Sequence, residues 1–60
     1  MEIYVGTFNE DDINKGVDKR AVERARLRHN LDYVNTKFVR KQGEIVAMKI
    51  WVCDVEDVKW

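Results

Sequence analysis

Residues 18–41 read DKRAVERARLRHNLDYVNTKFVRK, twenty-four positions with neither glycine nor proline. That continuity predicts a single long helix over 18–41. Asp18 is a suitable N-cap, Gln42-Gly43 supplies a stop, and Arg40 and Lys41 would sit favourably at the negative end of the helix dipole. Such a helix is about 35 Å long at about 1.5 Å per residue. Leu27, Leu31, Val34 and Phe38, spaced four, three and four, make its core stripe. Extended upstream the stripe meets Arg24 and Arg20, while Val22 and Ala25 lie on the other side with His29 and Tyr33. The helix is therefore expected to have two contact faces.

Downstream, Glu44-Ile45-Val46-Ala47-Met48-Lys49-Ile50-Trp51-Val52-Cys53 is the clearest strand in the chain. Val46, Met48, Ile50 and Val52 form one apolar face; Ile45, Ala47, Trp51 and Cys53 form the other, broken only by Lys49. A strand apolar on both faces needs cover on both. One helix covers one face, so the second is expected to be covered by a symmetry mate, with Trp51 as the anchor of a homodimer.

Upstream, Glu2 to Phe8 alternates and is rich in β-branched and aromatic residues, as a strand requires. Simple alternation puts Ile3 and Val5 on one face and Tyr4 and Phe8 on the other. Asn9 then caps one helical turn whose first positions are Glu10, Asp11 and Asp12, and Gly16 closes it. The end, Asp54 to Trp60, reads as a short return strand or an irregular tail. The predicted fold is α+β, β-α-β(β): one long helix packed on a small sheet, a single domain over 1–60, with the sheet completed by dimerisation.

Length sharpens that expectation. A sixty-residue chain buries only about 60% of the surface it exposes when unfolded, so its core is thin. Disulfides, metals or partners are the usual supplements. Cys53 is the single cysteine, so no internal disulfide can form. His29 and Cys53 together fall short of the four ligands a structural zinc wants. No cofactor and no metal are expected, which leaves a protein partner. No apolar stretch is long enough for a membrane span and no leader pattern opens the chain, so the expected setting is cytoplasmic without membrane contact.

The net charge is zero but unevenly spread: −4 over residues 1–18, +6 over 19–41 and −2 over 42–60. Lys19 and Arg20 fall in the predicted first helical turn, where the dipole disfavours cations. Lys19–Glu23 and Arg28–Asp32 have the weaker order of an i,i+4 pair. Helix stability thus explains Lys19, Arg20, Arg24, Arg26 and Arg28 poorly. They read either as a footprint for an anionic partner or as a solvated face balanced by the acidic N-terminal turn.

Chemistry-bearing patterns are weaker. His29 and Asp32 could orient an imidazole, but the chain has no serine, and packing beside Tyr33 is the simpler reading. Cys53 sits in a strand among apolar residues, where a thiol is normally inert. Asp12-x-Asn14-x-Gly16-x-Asp18 echoes a calcium loop but has Val17 where the loop needs glycine. The aromatic residues Tyr4, Phe8, Tyr33, Phe38, Trp51 and Trp60 show no clustering of a base-stacking kind. The expectation is a small non-enzymatic protein-binding module, by analogy with phage-encoded inhibitors and accessory factors, that occupies an acidic or apolar surface on a larger protein. Arg20, Arg24, Arg28, Tyr33 and Trp51 are its candidate binding residues. The alternative is a small nucleic-acid-binding regulator that uses the basic face of the helix 18–41.

Overall fold

The first strand, β1 (Glu2–Asn9), leads into a short helix, α1 (Glu10–Asn14), and a longer one, α2 (Val17–His29). Two strands follow, β2 (Tyr33–Lys41) and β3 (Glu44–Cys53), and then a single 3-10 turn at Val55–Asp57. The computed structural model describes residues 1–59. The class is α+β: a three-stranded antiparallel sheet with helices. Its order is β1-β3-β2, so β1 and β2 run parallel to each other with β3 between them. This is a split β-α-β unit, with α2 as the crossover.

The predicted helix over 18–41 is corrected. It ends at His29, and Tyr33–Lys41 is a strand. The stop is Asn30, which adopts the left-handed conformation at φ 53°. Asparagine tolerates that region because its short polar side chain compensates locally. The Asn30 N–H donates to the Arg26 carbonyl, and so does the Leu31 N–H at 3.1 Å. This closes the helix in the Schellman manner, with Leu31 buried just beyond. Past that point Tyr33, Val34, Thr36, Phe38 and Val39 are all β-favouring residues. Gln42 and Gly43, at φ 53° and 81°, make the two-residue hairpin turn between β2 and β3 rather than a helix stop. Positive φ at both positions is what a type I′ turn requires.

The start of α2 also differs from expectation. Gly16, left-handed at φ 75°, is the N-cap, and Asp18 lies inside the first turn, 7% exposed. Its Oδ1 has no hydrogen-bond partner among the described residues. The acidic turn, in contrast, is built as its sequence requires. Asn9 Oδ1 accepts from the Asp12 N–H at 2.9 Å, and Asp12 Oδ2 accepts from the Asn9 N–H at 3.2 Å, a reciprocal capping box.

Two bulges decide which residues share a face. In β1 the register jumps between Tyr4 and Gly6, leaving Val5 extra. Phe8 therefore pairs with Met48 and faces the same way as Ile3, which pairs with Val52, and not the same way as Tyr4. In β3 the register jumps opposite Val39/Arg40, leaving Val46 extra, so Ile45 pairs with Arg40 and changes sides relative to Ala47. The helix-side face thus carries Ile3, Gly6 and Phe8 from β1; Met48, Ile50 and Val52 from β3; and Val34, Thr36 and Phe38 from β2. The opposite face carries Tyr4, Thr7, Ala47, Lys49, Trp51 and Cys53, with Tyr33, Asn35, Lys37 and Val39.

The core is small: Phe8, Leu31, Ile50, Val52 and Cys53. Helix α2 packs on β1 and β3 and leaves β2 largely bare. At one end of the opposite face the segment after β3 provides cover. Asn35, itself 6% exposed, donates to Glu2 Oε2 at 2.7 Å and to the Asp57 carbonyl at 2.8 Å. It accepts from the Lys59 N–H at 2.9 Å. The ammonium of Met1 binds the carboxylates of Asp54 and Asp57, tying the first strand to the same segment. Cys53 is sealed beneath it. Of the two readings of this end, a short return strand or an irregular tail, the second describes it: a 3-10 turn at Val55–Asp57 with Val58 extended beyond it, Trp60 lying outside the described residues.

Candidate functional site

Because α2 covers only β1 and β3, the helix-side face is bare over β2 and the hairpin. Apolar side chains crowd there in the open: Phe38 is 53% exposed, Ile45 52% and Val46 42%, with Val34 and Ile13 close behind. Ile13 on α1 faces Phe38, Val46 and Met48 across a groove of 240 Å³. Glu10, Asp11 and Glu44 border the adjoining cleft and make that rim acidic. The origin of the strip is geometrical. A helix covers roughly 10 Å of width, about the span of two strand spacings, and it sits off-centre.

The predicted core stripe is redistributed by this arrangement. Leu31 is buried, but Leu27 is 75% exposed on α2. Val34 and Phe38 do share a face, and it is the face of Met48, Ile50 and Val52. They share it as strand neighbours, not as a helix packed on a sheet.

The arginines remain together. Arg20, Arg24 and Arg28 lie one turn apart along the exposed side of α2, beside Leu27. Arg24 and Arg28 wall an open groove of 290 Å³ between α2 and β1 with Ile3, Val5, Ala25 and His29. Arg20 donates to the Lys15 carbonyl at 3.2 Å. The single side-chain ion pair among the described residues is Arg26–Glu23, at 3.8 Å. Arg20, Arg24 and Arg28 therefore face solvent without a carboxylate partner among those residues.

Tyr33 and Trp51 are elsewhere. Tyr33 opens β2, 42% exposed, beside Asp32, Asp54 and Glu56. Trp51 is half-buried on the face away from α2, tilted against Tyr4 with ring centroids 5.5 Å apart. The five candidate residues thus do not form one patch. The expected dimer strip of Ile45, Ala47, Trp51 and Cys53 is not continuous either. The bulge sends Ile45 to the other side, and Cys53 is wholly buried.

His29 is exposed and makes no hydrogen bond to Asp32 among the described residues. Burial pushes the Cys53 thiol up from its ordinary range, helped by the carboxylates of Glu2, Asp57 and Asp54. A thiol so placed stays protonated and unreactive at neutral pH. Among the described residues no group of three or more His, Cys, Asp or Glu side chains is positioned to hold a metal ion. Among the described residues no helix is long and apolar enough to cross a membrane.

The exposed strip is what reading the sequence missed. Its signal was present in Gln42-Gly43, a two-residue turn between two β-rich runs. Recognising that hairpin would have placed Phe38 opposite Met48. No protein-family model matches the chain, and no curated protein or solved structure matches it.

Proposed function

We propose that this chain is a non-enzymatic protein-binding module that acts by occupying a surface on a larger protein, in the manner of an inhibitor or accessory factor. One observation carries the reading: Ile13, Phe38, Ile45 and Val46 are exposed around one groove, with Val34 exposed further along the same face, in a domain whose buried apolar core is five residues among those described. Contiguous exposed apolar surface of that kind marks interaction sites in soluble domains. Phe38 over the groove is suited to be an anchor, since aromatic side chains dominate the energetics of interfaces. The acidic rim at Glu10, Asp11 and Glu44 adds polar selectivity at one border. Self-association through the same strip is the homodimeric form of this reading.

A second reading rests on a different observation. Arg20, Arg24 and Arg28, one turn apart and without carboxylate partners among the described residues, would suit the phosphates of a nucleic acid. The zero net charge of the whole chain favours the protein reading.

Both are tested by affinity capture from the native host with the parent and with a Phe38→Asp/Val46→Asp variant as baits, each with and without nuclease. Retention of a defined protein that survives nuclease and is lost with the variant supports the proposal. Recovery of nuclease-sensitive nucleic acid alone, equal for both baits, overturns it. Light scattering on the two proteins at micromolar concentration separates the homodimeric form.

A further inference from the structure

In the register of β2 and β3, Lys37 stands directly opposite Lys49. Both are exposed, and neither has an ion-pair partner among the described residues. Like charges directly opposite in a sheet destabilise it. Next to this pair lies the outer edge of β2, which the order β1-β3-β2 leaves open. The other open edge, on β1, carries the Val5 bulge, a distortion that spoils an edge for pairing. β2 runs nine residues with no extra residue of its own.

The two faces of β2 differ in a way that specifies a ligand. On the helix side it presents Val34, Thr36 and Phe38, continuous with the bare apolar strip, and then Arg40 at the hairpin end, opposite Ile45. On the other side Asn35 is covered by the final segment, and towards the hairpin the strand presents Lys37, half-buried Val39 and Lys41. Arg40 is a third cation, and Tyr33–Lys41 contains no acid.

We propose that β2 is a docking edge for an extended segment of another protein in which apolar and acidic residues alternate. The proposal rests on the protein-binding reading and names the partner's chemistry. Added as a fourth strand, such a segment satisfies the free N–H and C=O groups of β2. Its apolar side chains extend the strip beside Val34 and Phe38. Its carboxylates fall beside Lys37 and Lys41 and relieve the Lys37–Lys49 repulsion. A second copy of the chain suits the edge less well, because full-length antiparallel pairing of β2 with itself sets Lys37 against Lys37, beside Lys49 of each copy.

The experiment uses a capped ten-residue peptide alternating valine and glutamate, a lysine-for-glutamate counterpart, and a ten-nucleotide oligothymidylate, titrated into isotopically labelled protein and followed by amide shifts. The glutamate peptide is expected to perturb the amides of residues 33–41 and to weaken about tenfold or more as salt rises from about 20 to about 300 mM. A Lys37→Glu/Lys41→Glu variant should lose about tenfold or more for that peptide and turn to the lysine peptide. Lys37→Glu alone, which converts a like pair into an opposite one, should melt above the parent and so shows that the edge is still folded. Equal affinity in parent and double variant overturns the proposal. Shifts confined to the amides around Arg20, Arg24 and Arg28 overturn it while leaving protein binding standing. A parent whose β2 amides are already protected in a dimer gives the edge to a second copy and overturns it too. Displacement of the peptide from Lys37 by oligothymidylate overturns both this proposal and the protein-binding reading.

Discussion

Leu27 and Leu31 are four residues apart and would be equivalent on one long helix, yet the fold separates them sharply. Leu27 is 75% exposed on α2, and Leu31 is 4% exposed just past the Asn30 stop. Fully burying a leucine contributes about 1.5–3 kcal/mol, so the quarter of Leu27 removed from water is worth roughly half a kcal/mol. Alanine recovers part of that through its better helix propensity. Leu27→Ala should therefore change stability by no more than about 0.5 kcal/mol. Leu31→Ala removes a side chain enclosed on nearly all sides and leaves a void, which costs about 2–5 kcal/mol. At roughly 4–8 °C per kcal/mol for a domain of this size, the melting temperature falls by at least about 8 °C. Against a total stability on the order of 3–9 kcal/mol, that loss is a large fraction of the whole. Thermal melts followed by far-ultraviolet circular dichroism, repeated by urea titration, measure both variants. Comparable losses in the two would restore a continuous helical stripe and refute the hairpin.

Four further outcomes follow from the same geometry. Asn35→Ala removes the two hydrogen bonds by which this side chain holds the final segment and a third to Glu2, so it should cost about 2 kcal/mol and accelerate amide exchange over residues 55–59; unchanged exchange there would contradict the pinning. In the hairpin, Gln42→Asn should stabilise by a few tenths of a kcal/mol because asparagine tolerates positive φ. Gly43→Ala should cost about 1–2 kcal/mol of backbone strain alone, since nothing crowds a side chain there. The Met1 ammonium, raised from 8.0 to about 10 by its bonds to Asp54 and then Asp57, gives the final segment a pH dependence. A raised folded value means the tether contributes fully below about pH 8 and is lost as pH climbs through about 10. Amide exchange over residues 54–57 should rise in that window and become pH-independent, beyond the intrinsic chemistry, in an N-acetylated chain.

Much of the fold was legible, and the failures have physical causes. The boundaries of β3 follow from unbroken apolar alternation bracketed by Gly43 and Asp54. The box between Asn9 and Asp12 follows from cap chemistry that depends on four residues alone. The long helix was misread because the spacing from Val34 to Phe38 is four, which suits one face of a helix and equally one face of a strand. Thr36 between them hides the alternation. The absence of glycine and proline concealed a stop that Asn30 supplies by adopting the left-handed conformation. The bulge at Val46 left no mark in the residue pattern and the one at Val5 only the glycine beside it, Gly6, yet each inverts a phase. Phe8 thereby enters the core, and Ile45 joins the exposed strip. Of the candidate binding residues, the arginines stayed together because their spacing belongs to the part of the chain that is helical. Tyr33 and Trp51 parted from them because they lie on strands whose facing the bulges and the hairpin set.

The proposed partner sits on the bare half of the helix-side face. Hydrogen exchange by mass spectrometry, on the chain alone and with a protein retained through capture, reads this directly. Slowed exchange should concentrate in residues 33–48, spanning β2, the turn and the first half of β3, with α2 unchanged. Protection confined to residues 19–29, or to the Tyr4 and Trp51 face, would contradict the account.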